Sequence, residues 1–163
     1  MSRMQEAPAA DLVRVIAQRV QQIGAASDRI ASAFSTQSHL HQTDTRALMC
    51  IFEAETRGTP LTASALARML DVAPGTVTYA VDRLAATGHV WRDRDPQDAR
   101  RVVLRIAPHG RDVARNFFGP LGAVHREALA GYSAAELAVV ARALEDITTA
   151  LGSFDDGLRA PPE

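Results

Sequence analysis

The sequence predicts a mainly α-helical protein with one small β-hairpin. Hydrophobic residues make up 47% of the 163 residues and aromatic residues only 5%, so aliphatic side chains must form the core. Apolar positions recur at steps of three and four along most of the chain, which indicates amphipathic helices. Two short runs that alternate every second residue flank a highly charged turn, which indicates the two strands of a hairpin.

The composition excludes several kinds of protein and site. The single cysteine, Cys50, rules out an intramolecular disulfide framework and a multi-cysteine metal site, and we expect it to be a small buried residue. No apolar run approaches the roughly 20 residues of a membrane span, and the opening residues lack an apolar signal core. Common enzyme motifs are absent. We therefore expect a cytoplasmic protein that is not an enzyme, needs no cofactor or metal and does not enter a membrane.

Two helices are predicted before the middle of the chain. Apolar residues at steps of three, four and seven predict a long first helix that ends near Phe34. The segment "STQSHLHQTD", residues 35–44, breaks this period and is predicted to be a connection. The period returns through Leu48 and Ile51, and the sequence "RGTP" predicts the end of the second helix at about Arg57.

The next two helices are short and separated by only three residues. The segment "LTASALARML", residues 61–70, predicts a helix with Thr62 as its N-terminal cap. After "DVA", the segment "PGTVTYAVDRLAATG" predicts a second helix that turns Val77 and Val81 inward and ends at Gly88. Two short helices joined in this way form a helix-turn-helix.

The charged turn lies between two predicted strands. "HVWRD" and "RVVLRI" alternate, and we expect Val102, Leu104 and Ile106 to share the buried face of the second strand. Between them, "DRDPQDARR" places three arginines and three aspartates around Pro96, which suits a turn. A hairpin directly after a helix-turn-helix makes the winged form of that motif.

Helices are predicted again after the hairpin. Gly119 and Pro120 should kink or split the first of them. The second begins at "YSAAEL", where Ser133 and Glu136 predict a capping box and Tyr132 can pack on Leu137. Apolar residues at alternating steps of three and four predict a seam that packs along another helix. This row consists of Leu137, Val140, Leu144, Ile147 and Leu151.

Several of these segments, in this order, resemble the MarR family of bacterial transcription regulators. The helix-turn-helix resembles that of the family in its "VDRL" and "GHV", and "RDRDPQDARRVVLRIAPHG" resembles its wing, with the D-x-R element at residues 98–100. The "YSAAEL" helix start also matches. The likeness is dense across residues 43–111. It implies a ligand-responsive repressor that binds double-stranded DNA at a pseudo-palindromic operator.

The resemblance also implies a homodimer in which the first helix and the last two helices of each chain intertwine. We therefore expect residues 10–35 and 108–153 to form a helical dimerisation region around a winged helix-turn-helix, residues 43–107, that binds DNA. The seams of the first and last helices supply apolar surface for that interface. Residues 1–9 and 154–163 are predicted to be flexible tails.

Candidate DNA contacts lie on the second helix of the motif and on the wing. The residues expected to meet the major groove or a phosphate are Pro74, Gly75, Thr76, Thr78, Tyr79 and Arg83. The resemblance implies that Arg100 enters the minor groove and that Asp98 organises it. Arg94 and Arg101, beside them in the wing, are expected to contact phosphates. A solvated turn is the alternative for the wing, and an ion pair with an acid is the alternative for Arg83.

The resemblance further implies a small aromatic or phenolic effector that binds between the dimer helices and the winged unit. The residues expected near it are His39, His41, Arg46, Phe117 and His125. Phe117 is, by default, a core residue. The two histidines lack the thiolate or carboxylate cluster of a metal site.

Two other functions stay open from the sequence. Residues 61–106 carry seven arginines and five aspartates, a net charge of only +2. Tyr79 also stands where members of the family often have a basic residue. The alternatives are therefore a sequence-tolerant architectural DNA binder and a protein-interaction module with a degenerate DNA site.

Overall fold

A computed structural model describes residues 8–159 of the chain and confirms the predicted class, mainly helical with a two-stranded antiparallel hairpin. The chain divides into two compact units, one up to Phe117 and one from Phe118 onward. In chain order the elements are α1 (Ala9–Gln37), α2 (Gln42–Thr56), α3 (Ala63–Leu70), α4 (Pro74–Ala86), β1 (Val90–Arg94), β2 (Val102–Ile106), α5 (Pro108–Leu129) and α6 (Ala134–Arg159).

The core of the first unit lies among α2, α3, α4 and the hairpin. Each of these elements contributes fully buried aliphatic side chains, and burial of each one stabilises the fold by about 1.5 to 3 kcal/mol. The largest of them are Leu48, Ile51, Leu66, Val77, Val81, Leu84, Val103, Leu104 and Ile106. This core fixes the position of the two segments that the sequence predicted to meet DNA.

The helix-turn-helix forms as its local signals predicted. The Thr62 hydroxyl accepts a hydrogen bond from the backbone N–H of Ala65 at 3.1 Å and so caps α3. Asp71 closes that helix in the left-handed conformation, at φ 54°. Gly88 follows α4 at φ 71°, a conformation that side chains rarely adopt.

The hairpin pairs Val90 with Ile106 at its base and Arg94 with Val102 at its far end. The predicted alternation of β2 is wrong at its start, because Val102 is exposed and Val103 is buried. The reason is a third segment beside β2, since the backbone N–H of Leu104 donates to the carbonyl of Leu61 at 2.7 Å. β2 therefore has a neighbour on each edge at Leu104, and the consecutive residues Val103 and Leu104 are both buried.

The turn before β1 touches the first turn of α5. The carbonyl of His89 accepts a hydrogen bond from the backbone N–H of Ala107 at 2.9 Å. A Cβ placed on Gly110 would lie 2.0 Å from that same carbonyl oxygen. Only glycine at position 110 therefore permits this close approach of α5 to the His89 backbone.

Some predicted boundaries are wrong. The connection after α1 contains only residues 38–41, because its polar flanks belong to α1 and α2. Helix α5 is not split, although Pro120 lies inside it. Residues 154–159 continue α6 rather than form a tail, and within them Arg159 donates to the Asp155 carboxylate one turn earlier at 2.9 Å. Residues 1–7 and 160–163 of the predicted tails lie outside the described residues.

The second unit holds the last turns of α5 and the whole of α6. The predicted capping box is present, since the Glu136 carboxylate accepts from the backbone N–H and the hydroxyl of Ser133 at 2.8 and 2.6 Å. These hydrogen bonds lower the pKa of Glu136. No described residue of α6 is buried within the chain. From residue 8 to residue 159, no helix has the length and apolarity needed to cross a membrane.

Candidate nucleic-acid interface

The outward face of α4 is uncharged along its first two turns. Gly75, Thr76, Thr78 and Tyr79 are all exposed, and the side chain of Tyr79 is 71% exposed. The Thr78 hydroxyl donates to the Pro74 carbonyl at 3.0 Å, which leaves its oxygen free to accept. No side chain caps the helix. This face can therefore offer methyl groups, hydroxyls and a phenol to the edges of bases.

Arg83, which the sequence predicted as a phosphate contact, forms an interhelical ion pair. Its Nε and one terminal nitrogen donate to the two carboxylate oxygens of Asp44 at 2.8 and 2.5 Å. The Asp44 side chain is only 3% exposed, and the hydrogen bond raises the pKa of Arg83. The alternative that the sequence left open for Arg83 is thus the arrangement that the structure has. The pair fastens the last turns of α4 to the start of α2.

The loop of the wing, residues 95–101, is ordered by its own aspartates. The Asp95 carboxylate accepts from the backbone N–H of Gln97, and the Asp98 carboxylate accepts from the backbone N–H of Arg100, each at 3.0 Å. The Asp95 N–H donates to the Arg101 carbonyl at 2.9 Å and closes the loop. Asp98 therefore fixes the backbone of Arg100. The sequence had suggested that Asp98 organises the Arg100 side chain, but it forms no hydrogen bond with the guanidinium.

The arginines of the wing fall into two groups. Three are paired with acids: Arg92 with Asp82 at 2.7 Å, Arg101 with Asp95 at 3.5 Å and Arg105 with Asp93 at 3.8 Å. The guanidinium groups of Arg94 and Arg100 form no hydrogen bond or ion pair with any residue between 8 and 159. Both side chains are exposed at the far end of the hairpin. These two cations are available to an external anion.

The predicted effector residues lie in different places. His39 and His41 line one hollow of about 290 Å³ together with Asp44 and Arg83. Arg46 is exposed on α2 and does not line this hollow. Phe117 packs on Phe34, with 4.6 Å between the ring centroids. His125 lies in the second unit, beside a hollow lined by Tyr132 and Leu137.

Two titratable side chains near this region are tuned by burial. Burial raises the pKa of the Cys50 thiol, and Glu53 raises it further, while Arg46 and Arg57 oppose this more weakly. A raised pKa keeps the thiol protonated and unreactive. Burial also lowers the pKa of His89. The neighbouring His109, with its ring centroid 4.5 Å away, lowers that pKa further, and Asp44 opposes the change.

Two acids that hold the winged unit together were missed from the sequence. Asp44 binds Arg83, and Glu55 accepts from the backbone N–H of Ile106 at 2.8 Å and from Arg111 at 3.0 Å. A signal was present, because Asp44 and Glu55 lie one turn before Leu48 and one turn after Ile51. They therefore extend the apolar stripe of α2 at both ends, where a carboxylate requires a partner.

Comparison with known sequences gives matches in the winged region. The profile of the MarR family matches residues 40–102. The uncharacterized HTH-type transcriptional regulator YcgE of Bacillus subtilis (strain 168) is 33% identical over 81 residues, which are 50% of this chain and 53% of YcgE. The chain thus spans about half the length of this curated relative.

Comparison with solved structures extends the likeness to most of the chain. A MarR family protein from Bacillus stearothermophilus gives a TM-score of 0.64 at 20% identity, with 90% of this chain and 99% of that chain covered. The transcriptional regulator BldR from Sulfolobus solfataricus gives 0.57 at 26% identity with the same coverage. These matches confirm the resemblance that the sequence predicted.

Proposed function

We propose that the chain is a member of the MarR family, whose profile matches residues 40–102, and that it is a DNA-binding transcriptional regulator. The observation that carries the proposal is the state of Arg100. The Asp98 carboxylate fixes its backbone, while its guanidinium has no partner in the part of the chain that the structure describes. A turn that served only for solubility would not need an ordered backbone beneath a free cation. A side chain of this kind suits the narrow minor groove, which attracts arginine.

The major groove is the proposed site of α4. Its outward face carries Thr76, Thr78 and Tyr79, whose hydroxyls can bond to base edges and whose threonine methyls can touch the methyl of thymine. The Asp44–Arg83 pair holds this helix at its other end and so supports its angle. Arg94 is the proposed phosphate contact, and Arg101 can join it only by leaving Asp95.

We propose that the protein acts as a homodimer. Helix α6 has an unburied apolar row, and α1 likewise exposes isoleucine and valine side chains along its length. Long amphipathic helices are stable in water only when such a face is covered. A second copy of the chain can cover both, and the two recognition helices then meet half-sites one helical turn apart, about 34 Å. The operator should therefore be an inverted repeat.

Repression that a small aromatic or phenolic effector relieves is the proposed mode of regulation. The hollow beside His39 and His41 is the proposed effector site, because Asp44 and Arg83, which hold α4, also line it. An effector can release DNA only if it binds the DNA-incompetent arrangement more tightly. A regulator of this kind acts in the cytoplasm, where its operator is.

The test is a fluorescence titration of the protein against labelled DNA from upstream of its own gene and against a scrambled duplex. We expect tight binding to the first only. Arg100→Ala should weaken it by about 1 to 3 kcal/mol, because the minor-groove contact is lost. Arg142→Ala, which changes an exposed arginine of α6, is the matched control and should leave the affinity unchanged.

The other outcomes identify the alternatives. Equal affinity for both duplexes would indicate an architectural, sequence-tolerant binder. No binding to either duplex would indicate a protein-interaction module, an outcome in keeping with the uncharged face around Tyr79. Unchanged affinity in Arg100→Ala would refute the role of the wing while leaving the recognition helix in place.

A further inference from the structure

One carboxylate joins three elements at the base of the wing. Glu55, near the end of α2, accepts a hydrogen bond from the backbone N–H of Ile106 with one oxygen, at 2.8 Å. Its other oxygen accepts from the guanidinium of Arg111 at 3.0 Å. Ile106 is the last residue of β2, and Arg111 lies in the first turn of α5. Glu55 therefore connects α2, the wing and α5 through a single side chain.

These bonds hold the edge of β2 that faces away from β1. That edge is fixed at two points in succession, by the Leu61 carbonyl at Leu104 and by the Glu55 carboxylate at Ile106. The Glu55 side chain is only 19% exposed, so water competes weakly for its oxygens. A carboxylate has only acceptors, whereas an amide would turn its NH₂ group toward one of the two donors. Both bonds thus require glutamate.

Because these bonds lie at the base of β2, they determine where the wing loop at its far end is placed. The five residues of β2 span about 17 Å between Ile106 and the loop that carries Arg100. A rotation of roughly 5° at the base of such a strand moves its far end by about 1.5 Å, which is enough to break a hydrogen bond at the tip. Anchoring the base is therefore a condition for placing the guanidinium of Arg100.

We propose that Glu55 is a positioning residue for DNA binding. It touches no nucleic acid and acts by fixing the base of β2 between α2 and α5, so that Arg100 reaches the minor groove. This inference rests on the proposed DNA-binding function. It predicts that the effect of Glu55 on affinity passes through Arg100.

A double-mutant cycle with Glu55→Gln and Arg100→Ala tests this dependence. In the wild-type background, Glu55→Gln should weaken binding to the operator about tenfold, and in the Arg100→Ala background by less than about twofold, because residues that act through one contact are not additive. Glu53→Gln is the matched control on the same helix. Glu53 is exposed and pairs with Arg57, so binding should not change. Equal losses in both backgrounds, or no loss in either, would overturn the inference.

Trp91 provides a readout that does not depend on DNA. It is the only tryptophan, lies on β1 and is 43% exposed. The fluorescence anisotropy of Trp91 in the free protein should fall in Glu55→Gln, because the wing becomes more mobile, and should stay constant in Glu53→Gln. Unchanged anisotropy in Glu55→Gln would overturn the inference even if the wild-type chain bound no DNA, a result that would refute the proposed function separately.

A second variant tests the inference in case Glu55→Gln does not fold. Arg111→Met removes the partner on α5 and keeps the bond to Ile106. In the same cycle it should give a smaller loss of affinity, of about threefold, that is again non-additive with Arg100→Ala. An additive loss would overturn the inference.

Discussion

Replacement of Gly110 by alanine should destabilise the first unit, although alanine normally favours a helix over glycine. The new Cβ would lie 2.0 Å from the carbonyl oxygen of His89 and 2.8 Å from its carbonyl carbon. Nonbonded heavy atoms pack at about 3.5 Å, so α5 or the turn before β1 must move by roughly 1 Å or more. Because the obstacle is backbone, no rotamer change can relieve it.

The magnitude follows from the cost of overpacking. Forced shifts in a packed region cost about 1 to 3 kcal/mol, and a backbone obstacle belongs at the upper end of this range. Loss of about 3 kcal/mol should lower the Tm of a chain of this size by roughly 6 to 12 °C. Differential scanning calorimetry of the wild type and Gly110→Ala measures the difference.

The control for this variant lies in the same helix. A Cβ on Gly119 would meet nothing within 4 Å. Gly119→Ala should therefore keep or raise the Tm, because alanine stabilises a helix by up to about 1 kcal/mol relative to glycine. A Tm for Gly110→Ala equal to that of the wild type would refute the close approach of α5 to the turn. An equal fall in Tm in both variants would show that the destabilisation does not come from the contact at Gly110.

Three further predictions concern charge, pH and assembly. Arg83→Ala leaves a buried carboxylate without its partner and should lower the free energy of unfolding by about 2 kcal/mol, whereas Asp44→Ala leaves a half-exposed cation and should cost less. Urea unfolding of both variants compares them, and the reverse order would contradict the geometry. Because the folded-state pKa of His89 is lowered, its contribution to stability is complete above the unfolded pKa of about 6.5 and is lost as the pH falls through and below it. The stability of the wild type should therefore fall more steeply than that of His89→Gln in this range, and parallel curves would show that His89 is not responsible. Leu144→Glu, on the exposed row of α6, should yield monomers by sedimentation, and persistent dimers would argue against that face as the interface.

The helix-turn-helix could be predicted from the sequence because its signals are local. Thr62 caps the helix that it precedes, and Gly88 adopts the positive φ that its position after α4 requires. The burial of Val103 could not be predicted, because it depends on the segment at Leu61, which lies far away in the sequence. The boundaries of α1 and α2 were also missed, since polar residues at helix ends give no apolar period.

The candidate interface could likewise be predicted only in part. The exposed positions of Thr76 and Thr78 follow from the inward positions of Val77 and Val81 on one helix. The partner of Arg83 did not follow, because Asp44 lies 39 residues away and only the packing of α2 on α4 brings the two together. Sequence spacing alone does not show which arginines are paired with acids and which remain unpaired.

The pairing of most wing arginines has a consequence for ionic strength. Only Arg94 and Arg100 are unpaired cations on each wing, so a dimer would displace about four counterions from DNA. The logarithm of the binding constant should then fall against the logarithm of salt concentration with a slope of about −4. A fourfold rise in salt concentration would then weaken such a complex by roughly 250-fold, which is less than for a complex with more phosphate contacts. Its selectivity would rest on hydroxyls, methyls and groove shape.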